Sequence, residues 1–236
     1  IVNSATYRQS SAHRPEVLEI DPENRLLSRQ NRFRVPAEII RDQFLAASGL
    51  LNPTIGGPSV RPPLPEGVAE LGYANTIKWP ESTGADKYRR GIYIHFQRTV
   101  PYPMLMTFDC PDSNVTAIRR ARSNTPLQAL TLMNDPVFFE CAQAFGAKVY
   151  TEGPEEIEGR LTYLFRTALG REPLPEELAA ILTLYDAEYE EINKDGDLAT
   201  RIVGDYLPEG AQPQEVAPWI TVARAVLNLD EFVTRE

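Results

Sequence analysis

The residues best placed to do chemistry lie in RRARSNTPLQALTLMNDP, residues 119–136. Arg119, Arg120 and Arg122 run into Asn124 and Thr125. Thr125-Pro126-Leu127-Gln128 has the form of a capping box, with a hydroxyl at the N-cap, proline at the first helical position and an amide at the third. The first N–H groups of a helix favour anions, and guanidinium groups bind carboxylate or sulfate through paired hydrogen bonds. Cations at that end are unfavourable unless carboxylates answer them. With Asp109, Asp112 or the acidic helices after residue 150 as partners, the arginines form a partly buried clamp joining the front of the chain to its back. Left unanswered, they make a sulfate- or carboxylate-binding pocket with the helix start. The clamp is the expectation, with Arg119, Arg120, Arg122, Asn124, Thr125 and Asp109 as its residues.

A second candidate is the Pro/Gly-rich stretch NPTIGGPSVRPPLPEG. Gly56, Gly57 and Ser59 could turn backbone N–H groups towards an anion. Trp79, Tyr88, Tyr93 and Tyr102 could offer stacking faces to a sugar, or else bury against helices. Catalytic signatures are absent: no zinc, P-loop or dinucleotide pattern occurs. Two histidines, His13 and His95, are too few for multi-histidine metal sites and most His-based triads. His95 reads as a packed residue and His13 as a solvated one. Among the carboxylates Glu38, Asp42, Asp109, Asp112 and Asp135, the Glu38/Asp42 pair shares a helix face. Arg41, Arg32 and Arg34 nearby would keep both ionised, against the split titration that paired-acid hydrolysis needs. EINKDGDLATRI imitates a calcium loop but carries Ile202 where a bidentate glutamate belongs, so no metal is expected there. Cys110 and Cys141 lie outside any C-x-x-C motif; they could pair as a disulfide or be small buried hydrophobes.

The elements that must position these groups are mostly helical. Pro36 followed by AEIIRDQFLAASGLL places Ile39, Ile40, Phe44, Ala47 and Leu51 at helical spacing, ending near Gly49. Residues 91–96, GIYIHF, have the strongest strand character and predict a short hairpin or extended packing segment. Asn134-Asp135-Pro136 closes the helix of residues 126–134 and caps the next. Further helices follow in EEIEGRLTYLFRTALGR, with Gly170 past its end, in PEELAAILTLYDAEYEEI, and in PWITVARAVLNLDEFVTRE. The fold class expected is mainly α: a single helical domain with long irregular segments and a minor β-hairpin. Residues 1–118 would form an extended, Arg-rich half wrapping the helical, acidic half of residues 119–236.

Charge supports that division. Residues 1–125 hold 16 Lys+Arg against 12 Asp+Glu, and residues 126–236 hold 8 against 21, so a total of −9 conceals a basic front and an acidic back. Only four of the cations are lysines, and arginine is the cation suited to bidentate, partly buried pairing. Internal docking of the halves is therefore expected, and nucleic acid is not an expected partner. No apolar run approaches the ~20 residues of a membrane helix. The opening IVNSATYRQSS lacks Met and an apolar leader core, and reads as part of a longer chain.

Six segments follow one another in an order that resembles a known family: IVNSATYRQSS, DPENRLLSRQNRFRVPAEIIRDQFLAASGLLN, GGPSVRP, RRGIYIHFQRTVPYPMLMTFDCPD, RRARSNTPLQALTLMNDP and LNLDEFV. Together they resemble the planctomycete-type domain of unknown function (PSD-type family) that ends large exported proteins, often with a cytochrome c-like module far upstream. The resemblance implies an exported parent, periplasmic or at the cell surface, from a bacterium of the Planctomycetes or Verrucomicrobia kind, with this chain as its C-terminal module. It carries over no catalytic residues. Without a C-x-x-C-H motif here, haem is expected only in the upstream part of the parent, and no cofactor in this chain. The function expected is a non-catalytic accessory module docking to upstream domains of its parent. The alternative is a domain that binds or processes acidic or sulfated polysaccharide.

Overall fold

The computed structural model describes residues 1–12, 14–65, 67–68 and 79–235. His13 and Lys78, read above as a solvated residue and one of the few lysines, lie outside them. Proline punctuates the helices. Six of them begin on one: α1 (Pro15–Ile20), α3 (Pro103–Thr107), α4 (Pro126–Asn134), α5 (Pro136–Glu152), α7 (Pro175–Ile192) and α9 (Pro213–Leu227). Proline suits a first turn because its missing N–H would have no partner there. The others are α2 (Ala37–Ser48), α6 (Ile157–Leu169), α8 (Gly196–Val203) and α10 (Asp230–Val233). Gly49 and Gly170 end α2 and α6 in the left-handed conformation, as their positions in the sequence predict.

The core draws on both halves of the chain. α5 packs against α9 and α2, and α9 also against α7 and α8. Gly146 of α5 lets α9 approach until a Cβ there would lie 2.5 Å from Ile220 Cα. Phe44 of α2 meets Phe138 of α5 at 4.3 Å and Phe232 of α10 at 5.0 Å between ring centres. Tyr185 packs on Trp219 at 4.5 Å. Each such fully buried aromatic contributes on the order of 2–3 kcal/mol of transfer free energy, which is what ties α2 to the acidic helices. The front half otherwise supplies irregular straps across this bundle.

Three features depart from the sequence reading. Residues 91–96 do not form a strand: Gly91–Tyr93 is a 3-10 turn, and only Ile94 makes a bridge, parallel, to Val60. Gly91 is pressed so close to α2 that a Cβ would fall 2.7 Å from the Glu38 carbonyl, and its N–H donates to Asp42 Oδ1 at 2.6 Å. That contact to a helix takes the place of a strand neighbour. The two-stranded antiparallel sheet joins β1 (Phe33–Arg34) to β2 (Thr234–Arg235), from opposite ends of the chain, rather than forming a hairpin. Finally, α9 starts at Pro213 and runs through Pro218, where the sequence places the helix start. Pro218 is only five residues past the start, and its ring is buried.

Candidate functional site

The segment between Cys110 and α4 has no regular structure, so side chains must hold it. Asp109 does so locally. It takes the Ser123 N–H at 2.7 Å and the Ser123 hydroxyl at 2.9 and 3.0 Å, from a left-handed backbone (φ 61°) that aspartate tolerates better than most residues. Gln128, wholly buried in the first turn of α4, is the hub. Its amide nitrogen donates to the Thr107 carbonyl at 2.9 Å and the Ser123 hydroxyl at 3.0 Å, and its Oε1 accepts from the Thr125 N–H at 3.2 Å and from Arg34. Arg34 also donates to Asn124 Oδ1 at 2.9 Å and Asp230 Oδ1 at 3.1 Å. It therefore locks the end of the extended front to α4 and to the start of α10.

The three arginines divide. Arg120 makes a paired contact with Glu38 in the first turn of α2, at 2.8 to 3.1 Å. Burial pushes the Glu38 carboxyl up, but the Arg120 hydrogen bonds outweigh it and hold it below its usual range. The partner is thus neither Asp109, spent on Ser123, nor Asp112, which binds Asn114. Nor does it come from the acidic helices. The two halves are also joined by Arg34 and Arg32 on Asp230, and by Lys87 on Glu140. Arg122 lies over the Phe33 ring at 4.8 Å. Among the described residues no carboxylate pairs with Arg119 or Arg122. These side chains, with Arg34, Asp109 and Phe108, line a pocket of about 330 Å³. Arg120 and Glu38 also line a groove of about 410 Å³ of mixed polar and apolar character, with Ile92, Phe96, Cys110 and Val115, and Ile118, the chain neighbour of Arg119, is fully exposed.

The proline-rich loop turns its polarity the opposite way from an anion nest. Its carbonyls at Thr54, Gly56 and Pro58 accept from Arg89, a buried guanidinium that also lies 4.0 Å from the Tyr93 ring centre. The Gly56 N–H donates to the Tyr93 hydroxyl at 2.8 Å, so it is not turned towards an anion. Gly57 keeps a left-handed turn beside Arg89, and Ser59 is exposed on the same loop. Trp79 donates to the Pro62 carbonyl at 2.7 Å and stacks on Tyr102, which donates to Pro63. These aromatics strap the loop to the core.

Glu38 and Asp42 each pair with an arginine, but the arginines are Arg120 and Arg90, not Arg41, Arg32 or Arg34. Arg41 is buried and donates to the Lys87 carbonyl at 2.6 Å. His95 packs near Trp79, with burial and then Arg61 holding its pKa down. Both cysteines are free thiols, Cys141 buried and Cys110 partly so. Asp195 caps α8 through the Asp197 and Leu198 N–H groups, which is the use the calcium-like stretch is put to. Among the described residues no cluster of three His, Cys, Asp or Glu side chains could hold a metal ion, and no helix is long and apolar enough to cross a membrane. Sequence reasoning missed Arg34 and Gln128. Gln128 was visible as the third residue of a capping box, whereas nothing in NRFRVP shows that Arg34 will meet residues some 90 and 196 positions away.

Comparison with family models matches residues 1–185 to PSD1, a protein of unknown function (DUF1553). No curated protein and no solved structure matches the chain.

Proposed function

The chain belongs to the PSD1 family of proteins of unknown function, and we propose that it is a non-catalytic interaction module of an exported multidomain bacterial protein. Its docking face is the mixed polar and apolar groove that holds Ile92, Phe96 and Val115, together with Ile118 and the two arginines without carboxylate partners, Arg119 and Arg122. The observation that carries this reading is the adjacency of exposed aliphatic side chains to guanidinium groups without carboxylate partners. Exposed aliphatic side chains beside arginine are enriched at protein–protein contacts. The complementary occupant carries carboxylates beside apolar side chains, and other domains of the same parent supply it. Haem, where such a parent has it, belongs to those domains.

Charge reversal tests the reading. Ile118→Glu and the double variant Arg119→Glu/Arg122→Glu, all on exposed positions, are expected to keep the thermal midpoint and to abolish retention of the remainder of the parent on a column bearing this chain. Retention equal to that of the unsubstituted chain would overturn it.

A second reading rests on the pocket of about 330 Å³ where Arg119 and Arg122 stand beside Arg34 and Asp109. It would hold the sulfate or carboxylate of an acidic polysaccharide. With Trp79 and Tyr93 spent on the loop, such a site would hold the anion without aromatic stacking. Saturable calorimetric binding of a sulfated oligosaccharide, lost in Arg119→Glu/Arg122→Glu, would favour it.

A further inference from the structure

Outside the arginine run, Glu140 of α5 is built into a cluster that neither the family match nor the docking reading uses. Three groups converge on its Oε1: Lys87 Nζ donates at 2.8 Å, the Tyr88 hydroxyl at 2.7 Å and the Tyr206 hydroxyl at 3.0 Å. The two hydroxyls stand 3.3 Å apart. These donors come from segments 52 to 66 residues away on either side, so the carboxylate is held by tertiary structure rather than by its own helix. The wholly buried Arg41 supports the arrangement by donating to the Lys87 carbonyl at 2.6 Å.

The convergence is one-sided. Among the described residues nothing donates to Glu140 Oε2, although a carboxylate has capacity for about four hydrogen bonds. Glu140 lines a pocket of about 280 Å³ with Gln143, Asp205, Tyr206, Pro63 and Val137. Gln143 spends its amide nitrogen on the Ile202 carbonyl at 2.8 Å, which leaves its oxygen unspent. Asp205 is exposed and makes no ion pair among the described residues. Gly204 brings this turn close: its φ is 55°, and a Cβ would lie 2.9 Å from the Gln143 nitrogen. The pocket thus offers three acceptors; of its lining donors the Tyr206 hydroxyl is already engaged on Glu140, and the Gln143 amide has one of its two N–H groups on Ile202. Lys87 cancels one of the two carboxylates, so the group carries one net negative charge, within a half of the chain that is itself strongly acidic.

We propose that this pocket binds an alkylammonium group, with the charged nitrogen among Glu140 Oε2, the Gln143 oxygen and Asp205, and the alkyl stem against Pro63, Val137 and the Tyr206 ring. An ammonium has three donors and no acceptor, matching the three acceptors of Glu140, Gln143 and Asp205. Its stem buries against apolar walls as a lysine side chain does. The same chemistry is offered by a free aliphatic amine and by the lysine side chain of a partner protein.

Calorimetric titrations of the full chain separate these cases. The probes are n-butylamine at neutral pH, Nα-acetyl-lysine methylamide, and n-butanol as the uncharged counterpart. Saturable binding of either amine but not of the alcohol is the expected result, with affinity falling about tenfold or more in Asp205→Asn and Glu140→Gln. Asp205 is exposed, so Asp205→Asn reads the site even where Glu140→Gln lowers stability. Tighter binding of the lysine amide assigns the pocket to a partner's side chain, and tighter binding of the simple amine to a small molecule. Equal binding of butanol, no binding of either amine, or an affinity unchanged in Asp205→Asn overturns the proposal.

Discussion

Replacing Arg120 by alanine tests whether the arginine run is partly structural. Arg120 approaches both oxygens of Glu38, whose side chain is 21% exposed against 45% for Arg120. Exposed ion pairs contribute roughly 0.2–1 kcal/mol. Removing one partner of a fully buried pair costs about 3–5 kcal/mol because the other charge is stranded. Glu38 is mostly covered, but Arg120 is not, so solvent screening discounts the Coulombic part strongly. After the substitution, Glu38 keeps the Cys110 thiol as a side-chain donor, at 3.9 Å. The expected loss is therefore between these limits, about 1–2 kcal/mol. With a urea slope of about 3 kcal/mol/M for a chain of this size, the midpoint falls by about 0.3–0.7 M. Arg119→Ala, lacking a carboxylate partner, should stay within about 0.5 kcal/mol of the unsubstituted protein. A double-mutant cycle with Glu38→Gln should return a coupling of about 1 kcal/mol. An Arg120→Ala loss no larger than that of Arg119→Ala would refute the clamp.

Further outcomes follow from the packing and the titrating groups. Gly146→Ala should cost about 3 kcal/mol or more in chemical denaturation, because the new methyl meets the Ile220 backbone and two helices must separate; a loss under about 1 kcal/mol would mean that the α5–α9 approach is looser than described. Acid should destabilise the protein through Glu38 and Glu140. Both carboxyls are held below their unfolded value of 4.5, so the unfolded state binds more protons, and the stabilisation is complete above that pH and fades as pH falls through the lowered values. Asp135, pushed up by burial, works in the opposite direction. Thermal midpoints between pH 6 and 3 should accordingly fall less steeply in Glu38→Gln than in the unsubstituted chain. Thiol titration should find no disulfide, slow reaction at Cys110 and none at Cys141 until unfolding, since Cys141 is buried and its pKa is pushed up to about 12.

What could be read from the sequence was local. Pro126, Pro136 and Pro175 mark helix starts because proline acts on its own backbone and the turn it begins, and Gly49 and Gly170 mark ends for the same reason. The capping part of Gln128's role followed from the four residues Thr125 to Gln128, but its bonds to Arg34, Thr107 and Ser123 did not. Features that depend on distant partners were not legible. The β-branched run around Ile94 meets a helix instead of a strand, so its propensity goes unused. The Gly56 turn surrounds a guanidinium because Arg89, 33 residues on, is buried beneath it. Glu38 answers Arg120 across 82 residues, a pairing that neither local spacing nor net charge contains. The division of the arginines into an answered Arg120 and the unanswered Arg119 and Arg122 is therefore visible only once α2 has docked, and that division underlies the proposed docking face.

The most direct measurement is calorimetry of this chain against the separately produced remainder of its parent protein, at about 50 and 200 mM salt. The docking proposal predicts saturable binding that weakens at the higher salt, as screening of Arg119 and Arg122 requires, and that is lost in Ile118→Glu. Absence of saturable binding at either salt concentration would contradict it.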